Sequence, residues 1–328
     1  MRNVRGLDEG EDGTLWAVGD RIVALTSERT LRNSIHVPRP RGVLLTSVLV
    51  RSSEEVYVGT SLPPSNQSGG WALSSDSIMV HSEPDNSAGR TKLRLIHSAF
   101  DMQELSDGST VVALGRSGLV RSGVDNDNFE PVVLSQSFFH FRRVLQKSAH
   151  ELIFLAALRG SEGNVSWGVY EMSLLDGTVR QFKGRPGTME SLTELSPVAL
   201  EVDRFNSVWI GTDAVGLMRF NDASGAVHWM DLGTEPNRPN SQFVRAVMQD
   251  EESNIWIGTP SGLRVFPSDD RSKQYTIRGD KEWDFPYVHA LSRLQQGRVW
   301  IGARGGNLFR ASINAGRVDV EYLSLIHI

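Results

Sequence analysis

The chain writes one short phrase three times: VWIGT at 208–212, IWIGT at 255–259 and VWIGA at 299–303. Its aromatic anchors, Trp209, Trp256 and Trp300, stand 47 and 44 residues apart. A catalytic motif is needed once, whereas a phrase repeated at a steady period signals a series of like structural units. Looser copies extend the series backwards. Trp16 anchors DGTLWAVG (12–19), Tyr57 anchors EVYVGT (55–60), Val112 lies in 107–120 and Phe154 in 150–158. Seven anchors at roughly 47-residue intervals match the length of one four-stranded propeller blade.

The flanks of the phrase agree with this. Val4, Pro197, Val244 and Val288 each precede their Trp by 12 residues, and Leu7, Leu200, Val247 and Leu291 by 9. Turn-forming tips follow them, EDGT (11–14), RFNS (204–207), EESN (251–254) and QQGR (295–298), as a tight link between two short strands requires. The β-branched and aromatic run comes next, and its Gly marks a bulge or a close backbone approach. A third strand opens on Gly (118–122, 216–220, 262–266), and a fourth follows at 130–134, 178–182, 226–232, 273–277 and 317–323. Helical periodicity is absent, so the expected class is all-β: a β-propeller of about seven four-stranded blades. The blades are expected near 1–40, 41–97, 98–137, 138–184, 194–234, 241–278 and 285–323, with 324–328 outside the fold. Trp16, Tyr57, Trp209, Trp256 and Trp300 are expected to pack between neighbouring blades. Because the chain starts on an innermost strand, a closed ring is expected to rest on side-by-side packing of the first and last blades without a hydrogen-bonded clasp. Membership in a longer tandem array is the alternative.

Composition removes several function classes. Net charge is −5, with Lys and Arg scattered, so there is no basic stripe for nucleic acid. The apolar runs at 42–50 and 151–158 are too short to span a bilayer as helices. There is no cysteine, which excludes disulfides, thiolate metal sites and a Cys nucleophile.

VALEVDRFNSVWIGTDAVGLMRF (198–220) and VRAVMQDEESNIWIGTPSGLRVF (244–266) resemble the two-component regulator propeller repeat. The resemblance is strong in three copies, fair at 4–25 and 46–60, and poor at 100–122 and 141–172. It implies the periplasmic sensor region of a hybrid histidine kinase or diguanylate cyclase, non-catalytic in itself. It further implies a downstream transmitter domain and possible homodimers. The closing LSLIHI (323–328) resembles a translated adapter remnant, so the reading frame is expected to continue past Leu323.

Propellers bind ligands where loops enter the innermost strands at one end of the channel. The residues after the Val4-type position are Arg5, Ser47, Asp101, Arg142, Val198, Arg245 and His289. Guanidiniums suit carboxylates and sulfates, so Arg5, Arg142, Arg245 and His289 are expected to hold an acidic small molecule or oligosaccharide. The competing reading is a set of solvated loop-edge charges. Trp71, in the Pro/Ser/Gly-rich stretch 61–77, is the candidate for stacking on a sugar face, although a loop Trp can equally pin its own loop. The Phe138, Phe139, His140, Phe141 patch is expected to be buried or to face another domain.

Metal motifs are weak. The eight histidines show no ligand spacing, and DNDNFE (125–130) lacks the turn Gly of a calcium loop. No cofactor is expected. The rival enzyme reading, a propeller of the streptogramin lyase or sugar lactonase kind, would place a metal on His289 with Glu201 or Asp101. A third reading is a pure protein-interaction platform.

Overall fold

A computed structural model describes residues 3–26, 31–35, 44–52, 55–61, 82–83, 92–124, 128–160, 163–182, 196–213, 215–221, 226–233, 242–268, 273–277, 287–294, 298–314 and 317–324. Trp71, the surrounding 62–81 segment, residues 125–127 of the calcium-like sequence and the 325–328 tail lie outside them.

The chain is an all-β propeller whose strands form seven four-stranded sheets. Six are antiparallel meanders in chain order, running from an innermost to an outermost strand. The innermost strands are Gly6–Glu9, Leu45–Ser52, Asp101–Glu104, His140–Ser148, Pro197–Val202, Ala246–Gln249 and Val288–Leu294. Each packs beside the next, and the seventh packs beside the first. The second sheet departs from the meander. Lys92–His97 pairs parallel to Glu55–Thr60, and Ser82–Glu83 lies outside it. A parallel neighbour needs a long crossover, and the Pro- and Ser-rich insertion after Thr60 supplies the length.

The repeated phrase explains the seams. All seven anchor side chains are buried; the five aromatic ones below pack onto the next blade, whereas Val112 and Phe154 cluster with the preceding one. Trp16 meets Leu45, Val48, Val56 and Val58. Tyr57 meets Ala99, Met102 and Val112. Trp209 meets Val244, Val247 and Ile257, and Trp256 meets Val288, Val299 and Ile301. Trp300 meets Val4, Leu7, Leu15 and Val23. A Trp buries on the order of 200 Å², enough to make one residue per blade a large share of a seam. Two indoles are also fixed by hydrogen bonds. Trp209 Nε1 donates to Asp203 Oδ2 at 2.9 Å, and Trp256 Nε1 donates to Asp250 Oδ2 at 2.6 Å. Both carboxylates also cap their own turns, Asp203 accepting from the amide of Ser207 and Asp250 from that of Asn254.

The Gly two residues after the Trp is there for clearance. A Cβ on Gly211 would stand 2.5 Å from Val244 Cγ1, and one on Gly258 would stand 2.6 Å from Val288 Cγ1. A Cβ on Gly302 would stand 2.5 Å from Val4 Cγ1. The last seam therefore repeats the contact of the internal seams.

Acidic side chains add a second tie from blade to blade. Asp8 accepts a hydrogen bond from the Val50 amide at 2.7 Å, Asp101 from Val144 at 3.0 Å and Glu201 from Gln249 at 3.2 Å. Burial raises the Asp8 carboxyl to about 6, and these amide bonds work against that rise.

Closure corrects one expectation. Val4 N donates to Ala303 O at 3.3 Å, and Asn3 forms an isolated antiparallel bridge with Arg304. The same bond, Val244 N to Thr212 O at 2.8 Å, joins blades five and six. Packing alone does not close the ring, because the Gly–Val contact brings the two backbones near enough to bond. Gly302→Ala should therefore destabilise the protein about as much as Gly258→Ala, on the order of 1–3 kcal/mol for overpacking a seam. Paired denaturant melts check this, and a Gly302→Ala variant melting like wild type would mean the seventh seam is open.

Candidate functional site

Successive strands of a meander run in opposite directions, so the start of each innermost strand shares one end of the molecule with the turn between its second and third strands. That end gathers the residues of interest. The innermost strands of blades two, four, five and seven bulge near their first residues, leaving Thr46, Arg142, Val198 and His289 out of register. A bulge re-aims a side chain and breaks the alternation along the strand. In blades one and six, Arg5 and Arg245 occupy the same position, with their amides bonded to Val18 O and Gly258 O at 2.8 Å.

Two of the aligned positions differ from expectation. In blade two the bulged residue is Thr46, whose hydroxyl donates to Ala99 O, while Ser47 pairs with Gly59 and is buried. In blade three the position falls to Phe100, whose amide bonds Ala113 O. Asp101 is turned into the seam, where it accepts from Val144 and pairs with Arg143 at 3.2 Å. Thr46 keeps the 11-residue offset from its anchor, whereas Phe100 stands 12 before Val112, a shift that a fixed offset cannot detect.

His289 feels Arg5, Arg245 and Arg304 together, and Arg142 feels Arg245. Of the expected residues, Arg5, Arg142, Arg245 and His289 thus converge electrostatically, from blades one, four, six and seven. Burial first, and then the three guanidiniums, push the His289 imidazole down to about 4, so it is neutral at pH 7. Burial likewise lowers Arg142, with Arg245 adding to the effect and Asp213 opposing it.

Aromatic rings hold these cations in place. Arg142 lies 3.9 Å over Trp167, Arg245 lies 5.7 Å over Phe243, and Arg304 lies 5.6 Å over Tyr287. Tyr287 also stacks with His289 at 5.9 Å. Its backbone has φ of +44°, a left-handed conformation that costs a non-Gly residue about 1–2 kcal/mol. The bonds from Tyr287 N to Pro260 O and from Arg304 N to Tyr287 O tie it between blades six and seven. Among the described residues, Arg142, Arg245 and Arg304 form no ion pair. Away from this rim the pattern reverses: Arg121 pairs with Asp107, Arg143 with Asp101, Arg180 with Glu171 and Arg310 with Glu321. A guanidinium resting on a ring keeps its N–H edge available, whereas a salt-bridged one does not. The rim therefore offers ring-backed guanidinium donors suited to an anion.

The offsets along the sequence did not reach Arg304, Tyr287, Phe243 or Trp167. Arg304 lies in a turn between second and third strands, directly after the VWIGA phrase, and that adjacency is the signal that could have found it. The metal alternative does not assemble. Glu201 and Asp101 are tied into seams away from His289, and no group of three potential ligands occurs among the described residues.

Residues 238–261 match the family model described as "Two component regulator propeller". The chain carries a two-component regulator propeller repeat. No curated protein matches it. Among solved structures it is similar to the extracellular domain of BT4673 from B. thetaiotaomicron. One structure, described as a one component system, gives a TM-score of 0.62 at 11% identity, covering 99% of this chain and 46% of that one. A second, described as a hybrid two component system, gives 0.61 at 12%, covering 98% and 45%. The chain thus spans less than half the length of those chains. Among the described residues no helix is long and apolar enough to cross a membrane.

Because His289 binds its proton less readily folded than unfolded, stability held above the usual histidine range is lost as pH falls through it towards about 4. NMR titration of wild type should place His289 near 4, and Arg245→Ala should raise it. An imidazole titrating at its ordinary value in both proteins would remove the electrostatic cluster.

Proposed function

We propose that this propeller is the sensory module of a bacterial signal-transduction receptor, lying outside the cytoplasm and without catalysis of its own. Its seven sheets act as one complete ring over about residues 1–323. The ring recognises an acidic small molecule or oligosaccharide at the channel mouth through Arg5, Arg142, Arg245, Arg304 and His289. The observation that carries this reading is the ring-backed guanidiniums of Arg142, Arg245 and Arg304, which form no ion pair among the described residues, around a neutral histidine. Such a site would pay little to bind an anion, because no internal ion pair must first be broken. A divalent cation would meet repulsion from the same arginines, which disfavours the metal-dependent lyase or lactonase reading. The regulator repeat and the likeness to extracellular domains of one-component and hybrid two-component systems support the receptor context. A transmitter domain following the propeller, and pairing of two propellers, belong to the same reading.

Isothermal titration at low salt with galacturonate against galactose tests it. Wild type should bind only the acid, and Arg245→Ala should weaken that binding by roughly ten- to hundredfold, as loss of one charge-assisted contact of about 1.5–3 kcal/mol implies. Equal binding of the acidic and neutral sugars, or none of either, would contradict the reading.

A further inference from the structure

The same end of the molecule carries a second group of cations, in blades three and four, that the channel-mouth set does not include. Arg116 lies in the short 3-10 turn Gly115–Ser117 of blade three, and Arg159 ends the second strand of blade four, Glu151–Arg159. Both are exposed, and both rest on one ring. The guanidinium of Arg116 is 4.9 Å from the centre of Phe139, and that of Arg159 is 4.4 Å from it. Among the described residues neither forms an ion pair. Phe139 is itself fixed, since its amide donates to Ala157 O at 2.7 Å.

The ground between this clamp and the channel mouth is continuous. Ala157 pairs with His140 on one side and Trp167 on the other, so these two side chains stand on the same face of the sheet. Their rings meet at 5.5 Å, and Trp167 in turn carries Arg142. His140 also packs edge-on against Phe100 at 4.8 Å. Its Nδ1 is buried without a hydrogen-bond partner. Burial, Arg142 and Arg116 together hold the imidazole below its ordinary range. Positive charge thus runs from Arg245 through Arg142 and past His140 to Arg116 and Arg159, over a floor of aromatic rings.

We infer that Arg116 and Arg159, clamped on Phe139, form a second anion subsite, and that the molecule bound at the channel mouth carries at least two separated acidic groups. Two like-charged guanidiniums held against one ring repel each other unless an anion lies between or across them. A monovalent acid can satisfy only one end of the track. A linear ligand with a carboxylate or sulfate on successive units satisfies both, and the second contact is then intramolecular, at an effective concentration in the millimolar range. This inference rests on the anion reading of the channel mouth.

Titration with oligogalacturonates of one to six units, at two salt concentrations, separates the two. In wild type the affinity should rise at least tenfold between the single sugar and the hexamer, with a steeper salt dependence for the hexamer. Arg116→Ala/Arg159→Ala should bring the hexamer down to the affinity of the single sugar. Thermal melts confirm that the variant is folded, and Arg116→Lys/Arg159→Lys should restore part of the gain. If galacturonate binds wild type but length brings nothing, or if the double alanine variant keeps the gain, the second subsite is wrong and the channel-mouth reading stands. If no acidic sugar of any length binds, both fall.

Discussion

One contact organises this molecule: an indole or phenol from one blade laid against the apolar face of the next, with a glycine two residues on that lets a valine backbone close in. Where that contact is made, the innermost strands come near enough for backbone and carboxylate bonds to cross the seam. Trp209, Trp256 and Trp300 make it in near-identical form, and Trp16 and Tyr57 in looser form. The seam between the last and first blades uses Gly302 and Val4 as the internal seams use Gly211 with Val244 and Gly258 with Val288. Closure is therefore built from the ordinary blade contact and needs no strand exchanged between the ends of the chain.

The rim depends on that closure. Arg5 comes from the first blade, and His289 and Arg304 come from the last. The low proton affinity of His289 comes first from burial and then from Arg5, Arg245 and Arg304. A propeller that gaped at this seam would separate the cations and leave four unrelated surface charges. The scaffold also explains how several guanidiniums tolerate one another without salt bridges of their own. Arg142, Arg245 and Arg304 each rest on an aromatic ring whose face offers partial negative potential. The seams use charge in the opposite way: Asp8, Asp101 and Glu201 spend their carboxylates on backbone amides, where they cannot neutralise the rim.

The repeat was legible in the sequence because the physical demand recurs: the seams after blades two, five, six and seven each use a large flat side chain and a glycine two residues on. Arg5, Arg245 and His289 were legible for the same reason, since each lies 11 residues before its Trp, whereas Arg142 stands 12 before Phe154. The offset failed in blade three, where Phe100 replaces Asp101, because a single-residue shift leaves no trace in composition; in blade two Thr46, not Ser47, stands 11 residues before Tyr57 and satisfies it. The parallel strand Lys92–His97 was also missed, since an insertion between partners hides which strand pairs with which. The ring-backed cations Arg304, Arg116 and Arg159 were out of reach for a different reason. Their partners, Tyr287 and Phe139, are set by turns and cross-strand neighbours and not by repeat position.

Native-state hydrogen exchange at two amides tests the closed ring most directly. Val4 N and Val244 N make the same bond across equivalent seams, to Ala303 O and Thr212 O. In a closed ring both should exchange slowly and with similar protection, although one lies near the chain's first residue. A Val4 amide exchanging at the rate of an unstructured terminus, beside a protected Val244, would contradict closure and with it the convergence of Arg5, His289 and Arg304.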